Sequence, residues 1–90
     1  MPLDNEALRT KTQRTLIEFL HAELKLGRTF TQSTMLSYDD GHADHYEQAK
    51  RYATHAAESV RRFIPGVADD KIRDEIEGRL AELERLISTL

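Results

Sequence analysis

Three stretches with helical periodicity, all of nearly the same span, fill most of this 90-residue chain. They cover residues 16–38, 43–64 and 69–90, and only two short breaks separate them. At the usual rise per residue each stretch makes a rod of about 32 Å. Because rods of one length with short connections pack side by side, the sequence predicts an all-α, antiparallel up-down-up three-helix bundle with a long first helix.

The first stretch carries its apolar and small residues on one helix face. They follow the i, i+3, i+4 spacing and are Leu16, Leu20, Leu24, Gly27, Thr31, Thr34 and Tyr38. A glycine inside a helix costs about 1 kcal/mol relative to alanine. We therefore expect Gly27 to be present because a second helix approaches closely there.

Residues 1–15 contain few apolar side chains, and Asp4 is a candidate N-cap with Leu3 and Leu8 placed as a hydrophobic staple. The sequence predicts two regions: a polar N-terminal helix extension or arm over residues 1–15, and the three-helix bundle over residues 16–90. The residues do not decide between an ordered extension and a frayed arm.

The other two stretches have contrasting seams. The second presents small residues and a few large ones, namely Tyr46, Ala49, Ala53, Ala56, Val60 and Phe63. The third presents large aliphatic residues, namely Ile72, Ile76, Leu80, Leu83, Ile87 and Leu90, with Leu86 beside them. The alanine seam permits tight packing against the Gly/Thr seam of the first helix, so these two helices are expected to form an antiparallel hairpin. On the third helix, Asp69 with Arg73 and Glu75 with Arg79 are predicted surface ion pairs.

Composition excludes several classes of function. The chain has no cysteine, which excludes disulfides, thiolate zinc sites and thiol redox chemistry. No stretch approaches the ~20 apolar residues of a membrane span, and the N-terminus lacks a signal-peptide pattern. The net charge is −3, and the basic cluster Arg9, Lys11, Arg14 is that of a solvated helix end. We expect a cytoplasmic protein that binds neither nucleic acid nor membrane.

Histidines and acidic residues at the first break raise the possibility of a metal site. Asp39, Asp40, His42, Asp44 and His45 fall together, and His42 and His45 share a face if they are helical. Such residues also occur in turns for reasons of backbone conformation and capping alone. His45 and His55 are about 15 Å apart along a helix and cannot share one ion. No nucleophile stands beside a base in a familiar motif, so we expect no enzyme activity, no catalytic residue and no cofactor.

The second helix resembles a known class of helical hairpin. The run Asp40-Gly41, then Tyr46-Glu47-Gln48-Ala49, then Tyr52-Ala53 and Ala56 is similar to the hairpin of tetratricopeptide-type repeats and of microtubule-interacting-and-transport-type three-helix domains. Residues 71–90 also look like the closing helix of the latter domain. The resemblance covers residues 24–90 and implies a module that accepts a helix or peptide in a groove between its helices.

These observations favour a small, non-enzymatic helical protein-interaction domain that docks a partner helix or associates with itself as a homodimer. The expected contact residues are Met35, Leu36 and the apolar residues of the third helix, including Leu86. The alternative is a metal-binding helical bundle that uses the turn from Asp39 to His45. A purely structural protein without a ligand is a third hypothesis.

Overall fold

The predicted fold class is confirmed: the chain is an all-α three-helix bundle with a long first helix. The computed structural model describes residues 2–39 and 43–90, and the side chains of residues 7–35 and 45–90. Its elements are α1 (Pro2–Asp39), α2 (Ala43–Phe63), a single 3₁₀ turn (Ile64–Gly66) and α3 (Asp70–Ser88). The bundle is elongated, measuring 59 × 19 × 15 Å along its principal axes.

The connection between α2 and α3 is defined by backbone chemistry. Pro65 and Gly66 form the 3₁₀ turn that ends α2, because proline cannot continue a helix. Asp69 then adopts an extended conformation, and its carboxylate accepts a 3.0 Å hydrogen bond from the backbone N–H of Ile72. This N-cap satisfies one of the free donors of the first turn of α3, so α3 begins at Asp70.

Helices α1 and α2 pack antiparallel along a seam of small residues. Gly27 lies against Ala56, Phe30 against Tyr52 and Phe19 against Phe63, so residue numbers fall along α2 as they rise along α1. A Cβ placed on Gly27 would lie 3.2 Å from the Ala56 Cβ. The prediction that Gly27 permits a close helix approach is therefore confirmed.

Two threonines in this seam are completely buried without an unsatisfied hydroxyl. Thr31 donates to the carbonyl of Arg28 at 2.7 Å, and Thr34 donates to that of Phe30 at 2.8 Å. Each hydroxyl is thus satisfied inside its own helix. With its hydroxyl bonded within the helix, each threonine has its methyl group left for apolar contact, which suits a core position.

Helix α3 supplies three large residues of the core. Its Ile76, Leu80 and Leu83 are buried against residues of the hairpin that include Leu20 and Val60. Gln13, His21 and Gly27 of α1 meet successively later parts of the chain from Ala68 to Leu83, so α3 runs parallel to α1. The up-down-up order follows from these two sets of contacts.

The first part of α1 extends beyond both other helices. Residues 7–12 are all exposed, and contacts with the rest of the chain begin near Gln13. The Gln13 amide donates to the Gly66 carbonyl and accepts from the Ala68 N–H, both at 2.9 Å. Gln13 thus fixes the α2–α3 connection to α1. The helix begins at Pro2, two residues before the predicted Asp4 cap, whose side chain lies outside the described residues.

Both ion pairs predicted on α3 are wrong. Asp69 is occupied as the N-cap, and Arg73 instead pairs with Asp70 at 2.5 Å. Arg79 reaches the other way, placing its guanidinium 2.5 Å from the His21 Nδ1 on α1. The i, i+4 rule fails here because each arginine pairs with a different group: Arg73 with Asp70 three residues before it, and Arg79 with His21 on α1.

Candidate functional site

Helices α1 and α2 leave an apolar groove on the face turned away from α3. On α1 the residues that meet α3 include Ile17, His21 and Leu24, whereas Phe19, Leu26 and Phe30 fall on the other side of the buried seam. Residues two apart on a helix point about 200° apart. We call this surface the α1/α2 groove. It is formed by Leu8, Thr12, Thr15, Phe19, Glu23, Leu26 and Phe30 of α1 with Tyr52, His55, Ser59 and Phe63 of α2.

The groove holds most of the exposed large apolar side chains of the described residues. Leu8 is 60% exposed and Leu26 is 46% exposed, and Phe19, Tyr52 and Phe63 are exposed as well. Large apolar residues placed singly on a surface are normal, but a contiguous strip of them between two helices is typical of a contact surface.

The α1 wall of the groove repeats every eleven residues. Leu8, Phe19 and Phe30 are separated by two equal intervals, and Thr15 and Leu26 by the same interval. Eleven residues make slightly more than three full turns, so the strip runs nearly straight along α1. From Leu8 to Phe30 the strip is about 33 Å long at the helical rise.

Aromatic pairs define two chambers along the groove. Phe19 and Phe63 make an edge-to-face contact with centroids 5.8 Å apart, beside an open chamber of about 590 Å³ lined also by Leu8, Lys11 and Leu16. A smaller chamber of about 270 Å³ lies between α1 and α2 next to the Phe30–Tyr52 pair, whose centroids are 5.1 Å apart. Both walls are largely apolar, so an apolar helix face would fit them better than a charged ligand.

The two chambers are lined by charged residues of opposite sign. Lys11 lines the larger chamber and Glu23 lines the smaller one. His55 also lines the smaller chamber and is exposed, as is Glu58 nearby on α2.

Three of the predicted contact residues on α3 are unavailable to a partner, and contact through Met35 and Leu86 stays a prediction. Ile76, Leu80 and Leu83 are buried in the core, and Leu86 is half-buried beside Leu24 and Arg28. Met35 is 45% exposed. The side chain of Leu36 lies outside the described residues.

The predicted turn site falls mostly outside the described residues. Residues 40–42 are not described, and neither are the side chains of Asp39 and Asp44; His45 is exposed at the start of α2. Among the side chains of residues 7–35 and 45–90, no three His, Asp or Glu residues converge in a way that could hold a metal ion. Binding of metal by the turn stays a prediction.

Tyr46 closes the end of the bundle next to this turn. It is half-buried, and its hydroxyl donates a hydrogen bond to the carbonyl of Leu90. Tyr46 thereby joins the start of α2 to the residues that follow α3. The side chain of Tyr38 lies outside the described residues.

Comparisons with protein-family models, with curated proteins and with solved structures gave no match for this chain. The resemblance to tetratricopeptide-type and microtubule-interacting-and-transport-type hairpins therefore stays a prediction. Over the described residues, no helix is both long and apolar enough to cross a membrane.

Sequence reasoning missed the groove although a signal for it was present. Leu8, Phe19, Leu26 and Phe30 follow a second helical stripe on α1, beside the buried one. Because Phe19, Leu26 and Phe30 lie beside the buried stripe, the sequence does not distinguish them from core residues. Only the position of α3 shows that this flank has no neighbour.

Proposed function

We propose that the protein is a helical interaction domain that binds an amphipathic helix in the α1/α2 groove. The observation that carries the proposal is the contiguous exposure of Leu8, Phe19, Leu26, Tyr52 and Phe63 along one face. Helix-in-groove recognition uses apolar anchors at i, i+3, i+4 and i+7 that insert between two helices. A three-helix bundle with one open face lacks only one helix of the common four-helix arrangement.

The dimensions of the groove favour a helix as its ligand. Between Phe19 and Phe30, where α1 and α2 both form its walls, the groove is about 16 Å long and accommodates roughly 11 helical residues. Aromatic residues such as Phe19, Phe30 and Tyr52 are enriched in the residues that dominate binding energy at protein interfaces. The polar groups of Thr12, Thr15 and Ser59 at the margins are suited to a rim that remains in contact with water.

Selection of binding helices would test this proposal. The protein is immobilised at low density and presented with a library of helical peptides randomised at surface positions. We expect the selected peptides to carry apolar residues at i, i+3, i+4 and i+7, and to lose at least tenfold in affinity when Leu26→Glu is introduced.

Met35→Glu is the matched control for Leu26→Glu. Met35 lies on the same helix and is exposed to nearly the same extent, but it is outside the groove. A selected peptide should bind Met35→Glu as it binds the original protein. Equal losses in both variants, or no enrichment of apolar helices, would contradict helix docking in the groove.

A further inference from the structure

We propose that the occupant of the groove is a second copy of this chain, whose α1 N-terminal segment lies antiparallel along the α1/α2 groove of the first. Each copy then gives a docking helix and receives one, in a two-fold symmetric dimer. This inference rests on the proposed helix-docking function and names the partner for it.

The length of α1 is the first argument. It has 38 residues, against 21 in α2 and 19 in α3, so its N-terminal part has no neighbouring helix in the monomer. Residues 7–12 are all exposed, and Leu8 is the most exposed large apolar side chain described. Contact with another helix would bury this exposed apolar surface and so stabilise the segment.

The register of the apolar strip is the second argument. The strip is centred on Phe19, with Leu8 eleven residues before it and Phe30 eleven after it. When two such strips lie antiparallel about a two-fold axis at Phe19, Leu8 of one copy faces Phe30 of the other, and Thr12 faces Leu26. The N-terminal part of α1 in each copy thus contacts the groove residues of the other copy, and neither helix has to bend.

Charge complementarity is the third argument. In this register Lys11 of one copy lies about one turn from Glu23 of the other, and the dimer contains this pair twice. A parallel pairing would instead place Lys11 beside Lys11.

The contact area is that of a weak dimer. Helix α2 flanks the strip only from Phe19 to Phe30, and the rest of the strip is α1 alone, so the strip covers on the order of 450 Å² per copy. The two copies together bury on the order of 900 Å², in the range of weak, transient interfaces. We therefore expect a dimer that dissociates on dilution.

Cysteine cross-linking tests the register directly, because the chain has no cysteine of its own. Thr12→Cys and Leu26→Cys are prepared separately, mixed and oxidised gently. The two positions face each other across the proposed interface, whereas two Thr12 positions lie about 21 Å apart along it. Since a disulfide needs Cα atoms within about 7 Å, the mixed dimer should form well before either symmetric one.

Light scattering over a concentration range measures the association itself. Leu8→Lys should raise the dimer dissociation constant at least tenfold, since each dimer contains two such positions. Met35→Lys, outside the groove, should change it less than about twofold. Lys11→Glu should weaken the dimer several-fold, and adding Glu23→Lys should restore it.

The outcomes separate this inference from the function on which it rests. Preferential Thr12–Thr12 cross-links, or a strict monomer that still binds selected helices at Leu26, would overturn self-association and leave the groove as a site for another protein's helix. A strict monomer that also selects no helices would overturn both. Circular dichroism of Leu8→Lys confirms that any loss of dimer does not come from unfolding.

Discussion

The two mid-helix glycines of the bundle give a direct test of its packing. Gly27 lies at the meeting point of all three helices, and Gly78 lies on the outer face of α3. We predict that Gly78→Ala stabilises the protein and that the same substitution at Gly27 destabilises it. Because the chemical change is identical, a difference in the sign of the stability change comes from the surroundings of the two glycines alone.

The magnitude at Gly78 follows from helix propensity. A Cβ added there meets no atom within 4 Å, so the only effect is the replacement of glycine by a better helix former. Alanine is favoured by about 1 kcal/mol in an exposed helix interior. The free energy of unfolding should rise by that amount, which corresponds to about 4–8 °C in Tm for a domain of this size.

At Gly27 the same gain is opposed by steric overlap. The added Cβ would lie 2.7 Å from the Leu83 Cδ2 and 3.2 Å from the Ala56 Cβ. The Leu83 tip can rotate only within a filled core, and Ala56 can move only with α2. Overpacking of this kind costs about 1–3 kcal/mol. After the propensity gain is subtracted, a net loss of about 1 kcal/mol remains, roughly 2 kcal/mol below Gly78→Ala.

Urea unfolding followed by far-UV circular dichroism measures both variants, at one protein concentration because self-association would shift the midpoint. In a Leu83→Ala background the penalty of Gly27→Ala should shrink, since the closest atom is gone. If Gly27→Ala stabilised the protein as much as Gly78→Ala does, the close three-helix contact described above would be refuted.

Three further predictions concern the connections. Gln13→Ala removes both hydrogen bonds to the α2–α3 connection and should lower the unfolding free energy by about 1–2 kcal/mol, measured by urea unfolding; an unchanged value would mean that water replaces the amide without cost. Asp69→Ala removes the N-cap of α3 and should cost about 1 kcal/mol, whereas Asp69→Asn should retain most of the stability, and equal losses would argue against capping. For the turn from Asp39 to His45, micromolar zinc should raise Tm if a metal site is present, and His42→Ala with His45→Ala should abolish the rise; no shift with zinc or chelator would reject that site.

Local sequence signals predicted the helices and their seams. The periodic positions Leu20, Leu24, Ile76, Leu80 and Leu83 are buried as expected, because a core-facing position needs an apolar residue whatever its neighbours are. The positions of the breaks between helices were also predicted, since proline, glycine and a capping aspartate act on the backbone within a few residues.

Contacts between side chains of different helices were harder to predict from the sequence. Arg79 was expected to pair with Glu75 on its own helix, but it contacts His21 across the bundle. Gln13 was assigned to a polar extension, yet its amide bonds both partners in the α2–α3 connection. Long polar side chains reach several ångströms in many directions, so spacing along one helix does not select their partners.

What the sequence by itself determined is therefore the number of helices, their approximate bounds and the buried face of each, because these follow from periodicity and local backbone preference. The tertiary structure decided which flank of α1 is covered. Ile17 lies against α3, whereas Phe19 and Leu26, with side chains just as apolar, line an open groove. Hydrophobicity is not directional, so a wide apolar stripe shows that neighbours are needed but not on which side they pack.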